Sequence, residues 1–198
     1  MTLFAVKLIL ALILLGSSIF KNGRSLLWRA HKFLIPVSAV LISVFVFSEI
    51  RHQFFIWYGN EFTKSFVPPF SPTGVNYFLF GWTVPRILSP HILLSLPAAY
   101  LLLFAAKRLN KKYGERFFYP EEPYLAASGI LLTGYPGLLY YFVLVVAVYL
   151  LTNTVATLFY KGSVRVSAYY LWLPAAIIVI MLMQFYYSGL PWYWLLKI

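Results

Sequence analysis

Three of the five acidic residues in this 198-residue chain, Glu49, Glu121 and Glu122, stand at the edges of long apolar runs. Charge near a membrane core is costly, so each marks a candidate site. Two carboxylates from separate segments can share a proton, the neutral one serving as acid and the ionised one as base toward a bound water. Glu49 and Glu121 are the pair for that role, with Glu122, Arg51 and His52 as supporting groups. The plainer alternative leaves all three acids among lipid headgroups, solvated or paired with Arg51 and Arg116. Glu49 and His52 have the i, i+3 spacing of a Glu-x-x-His metal motif, but a single copy lacks partner ligands, so no metal is expected. His31, His52 and His91 fall on different elements. His91, inside an apolar run after Pro90, is expected to hydrogen-bond a neighbouring helix. Lys7, one or two turns into the first apolar run, is expected to snorkel to the interface. The chain has no cysteine, which removes disulfides, thiolate metal sites and cysteine nucleophiles. It has no Gly-rich phosphate loop and no Gly-x-Ser-x-Gly elbow, so no cofactor is expected.

The elements that must position these groups are apolar helices. Hydrophobic residues make up 62% of the chain and charged ones 11%, too few to coat a soluble globule. The fold expected is all-α, a single polytopic transmembrane domain over 1–198. About six helices are read from the apolar runs, near 3–20, 33–50, 87–106, 123–134, 138–159 and 166–187. The first reads as a retained span, because no Ala-x-Ala cleavage pattern follows it. Residues 53–86, rich in aromatics and interrupted by Pro68, Pro69, Pro72, Gly74 and Pro85, read as an interfacial or re-entrant segment. Residues 188–198 carry Trp192, Tyr193 and Trp194 and read as an interfacial foot. The 38 residues from Pro123 to Tyr160 hold no charge. As one helix they would run about 57 Å, too long for a single span. Gly134-Tyr135-Pro136-Gly137 is the turn that divides them.

The formal charge is +11. The bases occupy short gaps between apolar runs, which points to membrane orientation and anionic headgroups, and no nucleic-acid partner is expected. If 53–86 does not cross the bilayer, the loops at 21–32, 107–122 and 161–165 share one side, the cytoplasmic one; if it does cross, 21–32 moves to the opposite side from the other two and the charge bias weakens.

The stretch Glu121-Glu122-Pro123-Tyr124-Leu125-Ala126-Ala127-Ser128-Gly129, followed by the Gly134–Gly137 turn, resembles the second half of the type IV prepilin peptidases. These are GxGD-class aspartyl membrane proteases. The resemblance aligns Glu121 with the family's second catalytic Asp and Glu49-Ile50-Arg51-His52 with the segment that begins at its first. Arg165-Val166-Ser167-Ala168-Tyr169 is similar to the approach to the last helix. Both presumed aspartates are glutamates here, and Tyr119 and Pro120 replace the glycines before the second. The resemblance implies a membrane endopeptidase, or a catalytically degenerate relative, that cleaves or binds apolar leader helices.

Three functions follow as expectations. The first is this peptidase-like protein with its Glu49–Glu121 dyad. The second is a non-enzymatic structural or assembly subunit held to other membrane helices through small residues such as Ala98 and Ala99. The third is a small transporter or substrate-binding subunit, which needs polar groups at mid-depth. His91, Asn153 and Gln184 are the candidates for that.

Overall fold

A computed structural model describes residues 3–19, 21–67, 77–114, 118–159 and 168–186, with side chains placed for all of these except 3, 21–28, 30 and 31. The Pro-rich stretch from Pro68 to Gly74, the loop bases Arg116, Lys161 and Arg165, the His31 side chain and the aromatic foot at 188–198 lie outside that description. Every regular element among the described residues is helical. In chain order they are α1 (Leu3–Ile19), α2 (Lys21–Gly59), the single turn α3 (Glu61–Lys64), a wide-turn π-helical segment (Phe78–Leu93), α4 (Ser95–Lys112), α5 (Glu122–Thr133), α6 (Gly137–Phe159), a 3₁₀ turn (Ala168–Tyr170) and α7 (Trp172–Phe185).

Four helical stretches are long and apolar enough to cross a membrane: Lys32–Gly59, Phe78–Lys112, Gly137–Phe159 and Ala168–Phe185. Their outward faces are apolar. On α2, Ile35, Ile42 and Val46 are buried while Val37, Val40, Val44 and Phe47 are exposed. Leu101, Phe104, Val143, Leu150 and Leu158 are likewise exposed on α4 and α6. Water would penalise so continuous an apolar surface, and lipid does not. By length and composition the chain is a multi-pass membrane protein.

Two segments differ from the reading of the sequence. Helix α2 does not stop at Glu49. It continues to Gly59, with Arg51 and His52 on its exposed side and the Arg51 guanidinium 5.9 Å from the Phe55 ring centre. Charged residues end an apolar run in the sequence without ending the helix, because they can point outward. The described end of 53–86 is also helical, and runs into α4 as one stretch. Pro85 and Pro90 lie inside it. Each lacks a backbone donor and crowds the preceding turn. The widened turn accommodates them, as the bond from Leu94 N–H to the Ser89 carbonyl, 2.9 Å, shows at its end.

Helix α5 is the centre of the bundle. All twelve of its residues are buried, and α1, α2, α4, α6 and α7 all pack on it. A helix enclosed on every side has no use for an amphipathic stripe. Its start combines Glu121 at the N-cap, Glu122 in the first turn and Pro123 beside it, a combination that suits the positive end of a helix dipole and the restricted φ of proline. Its small residues let neighbours approach. At Gly129 a Cβ would overlap the Tyr141 hydroxyl and stand 2.6 Å from the ring Cζ. The Tyr141 hydroxyl donates to the Ala126 carbonyl at 3.4 Å, so α6 folds back antiparallel along α5.

Gly129→Ala should therefore lower stability by about 1–3 kcal/mol, the usual cost of overpacking a filled core. Thermal unfolding in detergent checks this. An unchanged midpoint would mean that Tyr141 does not sit against Gly129.

Candidate functional site

The two carboxyls of the expected dyad occupy different environments. Glu121 and Glu122 are buried, at 2% and 1% exposure, where they begin α5. Glu49 is half-buried on α2 and accepts a hydrogen bond from Gln53 Nε2 at 3.2 Å. Trp57 packs against Phe78 and Trp82, with ring centres 5.4 and 5.9 Å away, which joins the C-terminal part of α2 to the start of the Phe78–Lys112 stretch. The Pro90 carbonyl accepts the Tyr135 N–H at 2.9 Å, just past the end of α5. Glu121 stands at the other end of α5, about 18 Å along the helix. Among the described residues no three of His, Cys, Asp and Glu gather in a group that could hold a metal.

A different set of polar groups does converge. It lies at the turn between α5 and α6. Lys7 is buried, at 6% exposure, so it does not snorkel. Its ammonium is 3.1 Å from His91 Nδ1. His91 follows Pro90, whose carbonyl also accepts from Ser95 Oγ and so is fixed from two sides. Helix α7 completes the site. Phe4, Lys7, His91, Thr133, Tyr135 and Gln184 are among the groups lining a cavity of about 220 Å³. Asn153, the third mid-depth polar residue, lies apart on α6 and donates to the Tyr149 carbonyl of its own helix at 2.8 Å.

Gly134 is what lets these groups meet. Its φ of 68° and ψ of 174° lie in a region that is almost restricted to glycine. A Cβ there would stand 2.8 Å from His91 Nδ1 and 3.1 Å from Lys7 Nζ. The turn's own amides are already used. Gly134 N–H donates to the Ile130 carbonyl at 3.0 Å, and Tyr135 N–H to Pro90. The Thr133 hydroxyl lies 2.9 and 3.1 Å from the carbonyls of Gly129 and Ile130, to which it donates. The polar reach into the cavity is therefore carried by side chains, with Lys7 foremost.

The sequence pointed to His91 and Gln184 separately, but nothing in it joined Lys7 to His91 across 84 positions. The available signal was a lysine with no acid nearby in an otherwise apolar helix. No family model matches the chain, and neither a curated protein nor a solved structure matches it. The likeness to prepilin peptidases rests on the residues quoted above.

Two outcomes are expected. Gly134→Ala should cost about 1–3 kcal/mol in thermal unfolding, whereas Gly16→Ala, which meets nothing within 4 Å, should be neutral or stabilising by up to about 1 kcal/mol. Equal midpoints for the two variants would rule out the close approach at Gly134. If the two acids act apart, spin labels on His52→Cys and Tyr119→Cys, exposed neighbours of the two acids in a cysteine-free chain, should sit about 20 Å or more apart, roughly the length of α5. A separation of about 10 Å or less, too short for the length of α5, would bring the dyad back.

Proposed function

We propose that this protein is a multi-pass membrane subunit that binds a small polar solute or headgroup inside the bilayer, as a transporter or substrate-binding component does. The observation that carries this reading is the convergence of Lys7, His91 and Gln184 on one cavity in an otherwise apolar bundle. A lysine held in such a place is costly, and packing alone has no need of it. The widened helix with Pro85 and Pro90 beside the cavity supplies the irregular backbone that often lines membrane binding sites.

Orientation is read from charge. Lys107, Arg108, Lys111 and Lys112 cluster at the end of α4, and that end faces the cytoplasm under the positive-inside rule, which in a bacterium makes this an inner-membrane protein. The cavity, at His91 well back along the same stretch, is then nearer the opposite face.

The peptidase-like reading has one observation in its favour, the burial of Glu121 and Glu122. It asks Glu49 to act with them, whereas the convergence of Lys7, His91 and Gln184 on one cavity supports the binding reading.

The absence of cysteine makes a direct test clean. In oriented vesicles, Gln184→Cys should react with a charged, membrane-impermeant thiol reagent added from outside. Val143→Cys, on the exposed apolar face of α6, should not react. A Gln184→Cys protein that stays unmodified from either side would mean a dry, closed cavity and would leave the structural-subunit reading.

A further inference from the structure

We infer that the cavity takes an oxyanion, the carboxylate or phosphate of a small solute or of a lipid headgroup, and that Lys7 and His91 hold it. The inference rests on the cavity being a binding site, and it names the ligand's chemistry. Lysine offers only donors. Lys7 Nζ lies 3.1 Å from His91 Nδ1; in the tautomer in which the lysine donates, the neutral imidazole carries its proton on Nε2, a second donor. In that tautomer the pair presents N–H groups and no lone pair. Thr133 spends its hydroxyl proton on carbonyls within its own helix, and the Gly134 and Tyr135 amides are spent likewise.

Charge points the same way. Among the described residues no acid lines the cavity, and Lys7 pairs with the imidazole of His91 rather than with a carboxylate. A bound oxyanion holds the lysine as an ammonium and accepts from both donors at once, in the charge-assisted bonds that are the strong ones. Lys7, His91 and the Gly134 turn come from three separate elements, brought together at a position where a single Cβ would collide with both side chains. A cavity of about 220 Å³ has room for the anionic group but not for an acyl chain, so a lipid would insert only its headgroup.

The test uses the full chain carrying Gln184→Cys, in phosphatidylcholine vesicles, with its modification rate taken relative to an exposed Tyr58→Cys reporter. One arm adds inorganic phosphate or acetate. The other adds phosphatidic acid to the vesicles and no free anion. At about ten times its Kd, a ligand should slow modification about tenfold by occupancy. Slowing by phosphate or acetate identifies a free oxyanion. Slowing in the phosphatidic-acid vesicles alone identifies a headgroup. Either result supports the inference, provided Lys7→Met abolishes the slowing and Lys7→Arg keeps it. Should Lys7→Met fail to fold, His91→Gln makes the same comparison. A reactive Gln184→Cys whose rate no oxyanion changes, or one slowed equally with and without the lysine, overturns the inference and leaves the cavity a binding site for something else. A cysteine that never reacts overturns the binding-site reading itself, and this inference with it.

Discussion

A helix of twelve residues rises about 18 Å, and a bilayer's hydrocarbon is about 30 Å thick, so α5 cannot reach from one face to the other. One of its ends must fall inside the hydrocarbon, where no headgroup or water satisfies the backbone, and that constraint shapes the molecule around it. One end begins with Glu121, Glu122 and Pro123, residues matched to the unsatisfied N–H groups of a helix start. The other end closes on Gly134, whose N–H returns to Ile130 and whose carbonyl accepts from Leu138 at 2.6 Å. The next amide, Tyr135, finds the Pro90 carbonyl on a different helix. Enclosure by five other helices then keeps every side of α5 from lipid.

The same constraint explains why polar groups gather at one end of α5. A helix that ends inside the bilayer needs a neighbour with free carbonyls, and prolines create them. The widened segment through Pro85 and Pro90 lies there. Once that irregular backbone is in place, nearby side chains have room and reason to be polar. His91 follows Pro90 directly, Lys7 approaches from α1, and the missing side chain at Gly134 leaves the gap into which both project. The loop at the opposite end is held differently. There the Asn110 side-chain amide donates to the Phe118 carbonyl at 2.9 Å and accepts its N–H at 3.2 Å, while Lys107 bonds the Tyr124 hydroxyl.

Much of the helical order was legible in the residues. Apolar runs located α1, α6 and α7, and the uncharged stretch with Gly134-Tyr135-Pro136-Gly137 located the break between α5 and α6. What misled was punctuation. Glu49, Arg51 and His52 read as the end of a span, yet α2 carries through them to Gly59: a helix need not stop where an apolar run does, and the Arg51 guanidinium lies over the Phe55 ring. Pro85 and Pro90 read as breaks, yet a wider turn absorbs them. The site was legible only in pieces. His91 and Gln184 stood out as polar residues in apolar runs. Lys7 was read by its commonest behaviour, snorkelling, and only the fold shows that its end of α1 is covered by α7, with the Phe4 and Phe185 rings 5.6 Å apart at the seam.

Whether Lys7 belongs to architecture or to function turns on what packing could have used in its place. The neighbouring positions Val6 and Ala11 are buried by apolar contact alone, and a leucine or methionine at position 7 would fill comparable volume without taking an ammonium out of water. Buried cations in structural roles are usually balanced by carboxylates, and replacing such pairs with apolar residues is often neutral or stabilising. Here the partner among the described residues is an imidazole, which brings no negative charge. The fold therefore holds an amine at a place where packing alone favours an apolar side chain, beside a cavity wide enough for a ligand. A cost of that kind is the signature of a group kept for what it binds.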